Sequence, residues 1–335
     1  MVANNPHDKL FKKTFSHPEN AAELLRCNLP PALLTHIDLQ SLAAEPGSFV
    51  DEALRERFTD LLFSAEIAGR AGFVYLLLEH KSRSDEMTAF QLARYVMDIL
   101  SEHRSGNPEE RTLPAVIPLV VHHGAGQWRG ARRLRELYDV PEELCASAGE
   151  YLLDLGFIVD DIGAESDAKL RRRTMAKLPL LALWLLWQAM RDEDVVTALP
   201  RAAKLFREAR ARVGEAQSGV EMFVAMLQYI MEISDASPEV IATVLHKIEP
   251  QTSEVYMSTA ERLREQGMKE GRKEGRVDGQ RGILLMQLEA RFGPLPGAVV
   301  TRVSRAPVKQ INAWARAVLT ASSIDELAGL SEGAV

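Results

Sequence analysis

Asp60, Glu79 and Lys81 are the residues whose types and spacing point most directly to chemistry. Asp60 lies in Phe58-Thr-Asp-Leu-Leu-Phe-Ser-Ala-Glu-Ile67, which reads as a strand, and Phe73-Val-Tyr-Leu-Leu-Leu-Glu-His-Lys81 reads as a second. Gly69-Arg-Ala-Gly72 between them is a turn signal, so the pair predicts a hairpin. The stretch from Asp60 to Glu79 is long enough for the chain to return, and the two-residue period of a strand puts Glu79 and Lys81 on one face. Two carboxylates and an amine can therefore converge. Paired carboxylates offer hard oxygen ligands to Mg2+. A bound metal acidifies its water and stabilises phosphoryl charge, while a nearby lysine can orient the nucleophile. That is the minimum equipment for phosphodiester hydrolysis. The plain alternative is an exposed strand end with an ordinary ion pair, worth little energetically. Glu79 weighs against it, because it follows the apolar run Val74-Tyr-Leu-Leu-Leu78, where a charge without a role would be costly.

The elements that must position these residues form an α/β pattern from residue 1 to 164. A first helix is expected over Asp8 to Leu25, and a helix over Met87 to His103 follows the hairpin, with Leu92, Val96, Ile99 and Leu100 at helical spacing. Leu113 to His122 predicts a third strand and Tyr151-Leu-Leu-Asp-Leu155 a fourth. A helical domain is expected over 165–262, including Lys177 to Arg191 and Val220 to Ile233. Residues 263–282 form a charged, glycine-spaced helix or linker, with Gly267, Gly271, Gly275 and Gly279 each four apart. On a helix those glycines make a slowly drifting stripe that a second helix could approach, a route to a homo-oligomer through 265–282, although each costs about 1 kcal/mol against Ala. A solvated linker is the competing reading. Residues 283–335 predict a small helical module, with a helix ending near Phe292 and a Gly-Pro-Leu-Pro-Gly break.

Several spaced segments together resemble the Rpn family of recombination-promoting nucleases, also described as transposases. They are Pro6-His-Asp-Lys-Leu-Phe-Lys12, Leu29-Pro30, Phe58-Thr-Asp-Leu-Leu62, Tyr75-Leu-Leu-Leu-Glu-His-Lys-Ser82 and Ile117-Pro-Leu-Val-Val-His-His-Gly124. The likeness covers roughly residues 6–260, and Ile283 to Leu330 resembles a helical domain of unknown function often appended to such proteins. It implies a PD-(D/E)xK restriction-endonuclease-like core, a central mixed sheet flanked by helices, followed by all-helical C-terminal regions. It also implies Mg2+-dependent DNA cleavage and a link to RecA-independent recombination or mobile elements. Under it Asp60 and Glu79 are the metal ligands and Lys81 is the last residue of the motif. The commoner family form looks like Glu-His-Gln there, so Lys81 restores the superfamily's usual residue. Asp8 matches an acidic position on the first helix, where a carboxylate could assist the metal. An ordinary helix N-terminal acid is its plain alternative.

Gln91 shares a helix face with Arg94 and Tyr95 and either faces the site or belongs to a solvated face. Asp154 in the expected fourth strand and Asp160 and Asp161 after it form an acidic group, and Asp161 is a further acidic candidate; aspartates near turns more often serve local hydrogen bonding. His122 and His123 do not make a zinc pair, since adjacent strand residues point to opposite faces. Lys169-Leu-Arg171-Arg172-Arg173 supplies local positive charge for DNA phosphates, as do Arg201, Lys204, Arg207, Arg210 and Arg212, against the alternative of a solvated helix face. A true transposase would need end recognition, and no sequence-reading DNA module stands out.

The 335 residues exceed the usual size of a single core, and 46% hydrophobic with 26% charged residues excludes global disorder. A net charge of -7 argues against coating nucleic acid with the whole surface. The two cysteines, Cys27 and Cys145, make no disulfide framework and fit a reducing cytoplasm. No secretory signal or membrane span is expected, because Leu178 to Met190 is too short to cross a bilayer.

Overall fold

A computed structural model of the chain describes residues 5–45, 59–79, 86–213 and 217–327. Two compact units emerge, Met1–Thr259 and Ala260–Val335.

The first unit is built on a five-stranded mixed sheet in the order β1 (Ile37–Ala44), β2 (Thr59–Ile67), β3 (Arg70–Glu79), β4 (Ala115–His122) and β5 (Ile158–Asp161). β1 to β3 are antiparallel neighbours, whereas β4 and β5 run parallel to β3. The expected hairpin is β2 and β3, joined by Ala68 and Gly69, both at positive φ (52° and 73°). Two successive positive φ values match the twist of a two-residue hairpin, and they fix the register that sets Asp60 opposite Leu77.

Side-chain alternation divides the sheet cleanly. Leu62, Phe73, Tyr75, Leu77 and Val120 pack with Leu92, Tyr95 and Ile99 of the helix Thr88–Gly106 on one face. Phe63, Ala65, Val74, Leu76, Leu119 and Val121 pack on the other face with α1 (Pro6–Phe15), α2 (Pro18–Asn28) and the helix Lys177–Ala189. That last helix is buried from Leu178 to Gln188, as expected of one apolar on every side.

Four local expectations are revised. The single helix over Asp8 to Leu25 is two, because Pro18 pushes His17 out of helical geometry (ψ 121°) and then starts α2. The strand expected at Tyr151 to Leu155 is not formed: Tyr151 and Leu153 stand exposed, and the strand beside β4 is Ile158–Asp161. β1 had no counterpart among the expected strands. The helices after residue 165 do not build a core of their own, since Trp184, Phe223, Leu245 and Tyr256 share one with Leu10, Phe11 and Leu76.

The helix Pro250–Phe292 carries the chain out of the first unit and into the second. In the second unit Leu284, Leu288, Val303, Ile311 and Trp314 form a separate small core with the helices Gly297–Arg305 and Val308–Ala317. Gly293, at φ 81°, ends the long helix in the left-handed conformation that glycine adopts without penalty. Among the described residues no helix is long and apolar enough to cross a membrane.

Candidate active site

The hairpin register places position 60 opposite Leu77, hence on the face that also carries position 79. Both lie at the same end of the sheet, Asp60 near the start of β2 and Glu79 at the end of β3. Their side chains, and Lys81 altogether, lie outside the described residues. The helix packed on this face begins at Thr88, a short connection after β3, with half-buried Gln91 in its first turn.

The parallel strands bring two more groups to this end. His122 is the register partner of Glu79, and Asp161 is the register partner of His122. By alternation both fall on the face of positions 60 and 79. His122 Nδ1 lies 2.7 Å from Asp161 Oδ1, and the second carboxylate oxygen of Asp161 accepts from the backbone N–H of Trp128 at 2.7 Å. The Trp128 indole meets the His122 ring edge-on at 5.2 Å and shields it. Sequence reasoning weighed His122 only as half of a zinc pair; its link to position 79 is a parallel pairing that no local pattern announces. His123 goes to the opposite face, against the Leu186 carbonyl and the ring of His7.

Asp8 sits in the first turn of α1, on the other side of the sheet from positions 60 and 79. Its neighbour His7 meets the ring of His123 edge-on at 4.8 Å, so the start of α1 reaches the same end of the sheet. The other two aspartates of the acidic group are engaged elsewhere. Asp154 pairs with Arg133, and Asp160, 2% exposed, accepts from Arg173 and from Asn28.

The three arginines proposed for DNA differ in freedom. Arg173 is mostly buried and spans Asp160 and Glu165. Burial alone would lower its pKa, but hydrogen bonds and charge from Asp160, then Glu165, raise it above the ordinary guanidinium value. Arg173 therefore serves the fold. Burial likewise works to raise the Glu165 carboxyl, yet hydrogen bonds from Arg173 and Lys169 hold it below the usual carboxylate range. Arg171 is tied to Asp167 and to the Arg201 carbonyl, and of the three only Arg172 is exposed. Arg172 lines an open cleft of about 1050 Å³ together with Arg26, Gln127, Arg132, Lys169 and Asp161. Positive side chains thus border the sheet end that carries positions 60 and 79.

Among the described residues no cluster of three or more His, Cys, Asp or Glu could hold a metal ion. The donor set that the register implies, carboxylates at 60 and 79, suits a hard divalent cation.

The family model described as "Putative transposase, YhgA-like" matches residues 5–218. The recombination-promoting nuclease RpnD of Escherichia coli O157:H7 is 30% identical over 273 residues, covering 78% of this chain and 95% of that protein. RpnA of E. coli K12, also named a recombination-promoting nuclease, is 28% identical, covering 79% of this chain and 85% of its own. RpnE of the same strain, 27% identical over 87% of this chain and 92% of its own, is named an inactive recombination-promoting nuclease-like protein. No solved structure matches the chain. With its family model spanning most of the sheet-bearing unit and a relative matched nearly end to end, the chain belongs to the YhgA-like transposase family and is related to the recombination-promoting nucleases.

Proposed function

We propose that the chain is a metal-dependent DNA endonuclease that acts in recombination independent of RecA or in the movement of mobile elements. The observation that carries this reading is the register that sets positions 60 and 79 on one face at one end of the sheet. The names of RpnD and RpnA support the same activity.

Asp60 and Glu79 would hold Mg2+, which when bound supplies an acidified water and charge neutralisation at the scissile phosphate. Lys81 positions the attacking water. Gln91, in the first turn of the helix over this face, would orient the phosphate or that water. Exposed Arg172, Arg132 and Lys169 along the adjoining cleft hold backbone phosphates and fix the path of the duplex without reading its sequence. Asp8 approaches the same end of the sheet from the far side and would assist through a bridging group.

The test is cleavage of supercoiled plasmid by purified protein, with Mg2+ or with EDTA, beside Asp60→Ala and Glu79→Ala. Nicking or linearisation that requires the metal and both carboxylates is the expected outcome, with a loss of at least a hundredfold in each variant at unchanged circular dichroism. Wild-type activity in either variant would refute the site.

A second reading, a non-cleaving protein that binds DNA or assembles with itself, draws support from the name of RpnE and from the glycine stripe. A Cβ placed on Gly267, Gly271, Gly275 or Gly279 would meet no heavy atom within 4 Å, so this face of the helix is open to a second copy. Deleting 265–282 separates the two: the assembly reading expects the light-scattering mass to fall to that of the monomer, and the nuclease reading expects cleavage to persist.

A further inference from the structure

We infer that His122 supplies a nitrogen ligand to the cation held by Asp60 and Glu79, with Asp161 as the residue that orients it, so that the site prefers a transition metal such as Mn2+ over Mg2+. The inference rests on the nuclease reading of the site and adds a ligand and a metal preference to it.

Three observations carry it. His122 is 2% exposed, and its Nε2 is buried without a hydrogen-bond partner among the described residues. A buried ring nitrogen left unsatisfied is costly, and in a stable fold it calls for an occupant. Next, Nδ1 is committed to Asp161 at 2.7 Å. Since a carboxylate accepts, Nδ1 carries the proton of this bond, which leaves Nε2 as the ring nitrogen at which a cation can bind. With Nδ1 turned toward β5, Nε2 occupies the ring edge away from that strand. Third, the strand on that other side is β3, and the register partner of His122 there is Glu79. Neighbouring strands stand about 4.8 Å apart, within the joint reach of an imidazole and a glutamate on one face.

A histidine that donates one ring N–H to a carboxylate while its other nitrogen is free is the arrangement by which proteins orient a metal-binding imidazole. Asp161 is itself fixed, because its second oxygen holds the Trp128 N–H. That settles the part of this aspartate: it acts through His122. Carboxylates alone suit Mg2+, whereas imidazole shifts a mixed site toward the transition metals.

The deciding experiment uses the full-length protein loaded with Mn2+. Electron spin echo envelope modulation of the bound ion should show coupling to an imidazole 14N in the wild type and lose it in His122→Gln while Mn2+ remains bound. Calorimetry should show wild type binding Mn2+ at least tenfold more tightly than Mg2+. His122→Gln should lower Mn2+ affinity tenfold or more and Mg2+ affinity by less than threefold. Asp161→Asn should weaken Mn2+ by about 10-fold to 100-fold, the usual cost of removing such an orienting partner. Absence of 14N coupling in the wild type, or coupling that survives in His122→Gln, overturns the inference. If the buried substitution prevents folding, the wild-type spectrum and Asp161→Asn still decide. Glu79→Ala keeps the two claims apart. Loss of all binding in Glu79→Ala together with no 14N signal in the wild type sinks only the histidine ligand, whereas undiminished binding in Glu79→Ala sinks the carboxylate site and both claims with it.

Discussion

At the scale of single residues, the end of the sheet holds two carboxylates with opposite duties. Asp160 and Asp161 are adjacent on β5, yet strand alternation sends Asp160 to Arg173 and Asn28 and Asp161 to His122. Removing the Arg173 guanidinium would strand the buried Asp160 charge, so Arg173→Ala should cost about 3–5 kcal/mol in urea unfolding. Replacement of exposed Arg172 by Ala should leave stability within about 0.5 kcal/mol and weaken DNA binding with little regard to sequence. The same network sets an acid limit. The folded pKa of Glu165 lies below its unfolded value, so its contribution is present above the ordinary carboxylate range and disappears as pH falls through the lowered folded value. Melting temperature measured downward from neutral pH should therefore fall in that acid window, and Arg173→Ala should flatten the Glu165 part of the fall.

At the scale of elements, the approach of backbone to backbone holds β4 and β5 in line. A Cβ on Gly163, just past β5, would collide with the Gly124 carbonyl oxygen just past β4 and stand 3.1 Å from that of Gly126. Gly163→Ala should therefore destabilise by about 1–3 kcal/mol and disturb Asp161, whereas Gly126→Ala, with open space around its Cβ, should leave the melting temperature nearly unchanged. Much of this scale was legible in the sequence. The hairpin carried its turn residues and a period of two, and Lys177–Ala189 announced itself as uniformly apolar. β1 was harder to see, because Ile37-Asp-Leu-Gln-Ser-Leu-Ala-Ala44 has few β-branched residues and lies at the edge of the sheet, half exposed. Tyr151 to Leu155 misled in the other direction, since an apolar run does not reveal whether a neighbouring strand is there to cover it. Asp60, Glu79 and Lys81 were selected by residue type and spacing. His122 could be valued only once the pairing of β3 with β4 was known, and nothing within a short window encodes a pairing across so long an interval.

At the scale of the whole molecule, the chain is two units joined through one helix, and its connecting stretch is exposed from Arg264 through Gly275 wherever described. Trypsin should cut first among Arg264, Lys269, Arg272, Lys273 and Arg276, releasing a large amino-terminal fragment that keeps the near-ultraviolet spectrum of its tryptophans. Early cleavage inside the sheet instead would mean that the two units do not stand as separate folding entities. The first unit, in contrast, is tied together across great sequence distances. Lys13 pairs with Glu221 and His7 with Tyr229, and the core around α1 is closed by residues as late as Tyr256. Synthesis runs from the amino terminus at about 5–20 residues per second, so the first helix emerges from the ribosome roughly 10–40 s before its packing partners. Until then the sheet end that carries Asp60 and Glu79 lacks the support of a finished core, and a chain cut short before residue 230 would hold that end of the sheet without the helices that pack behind it.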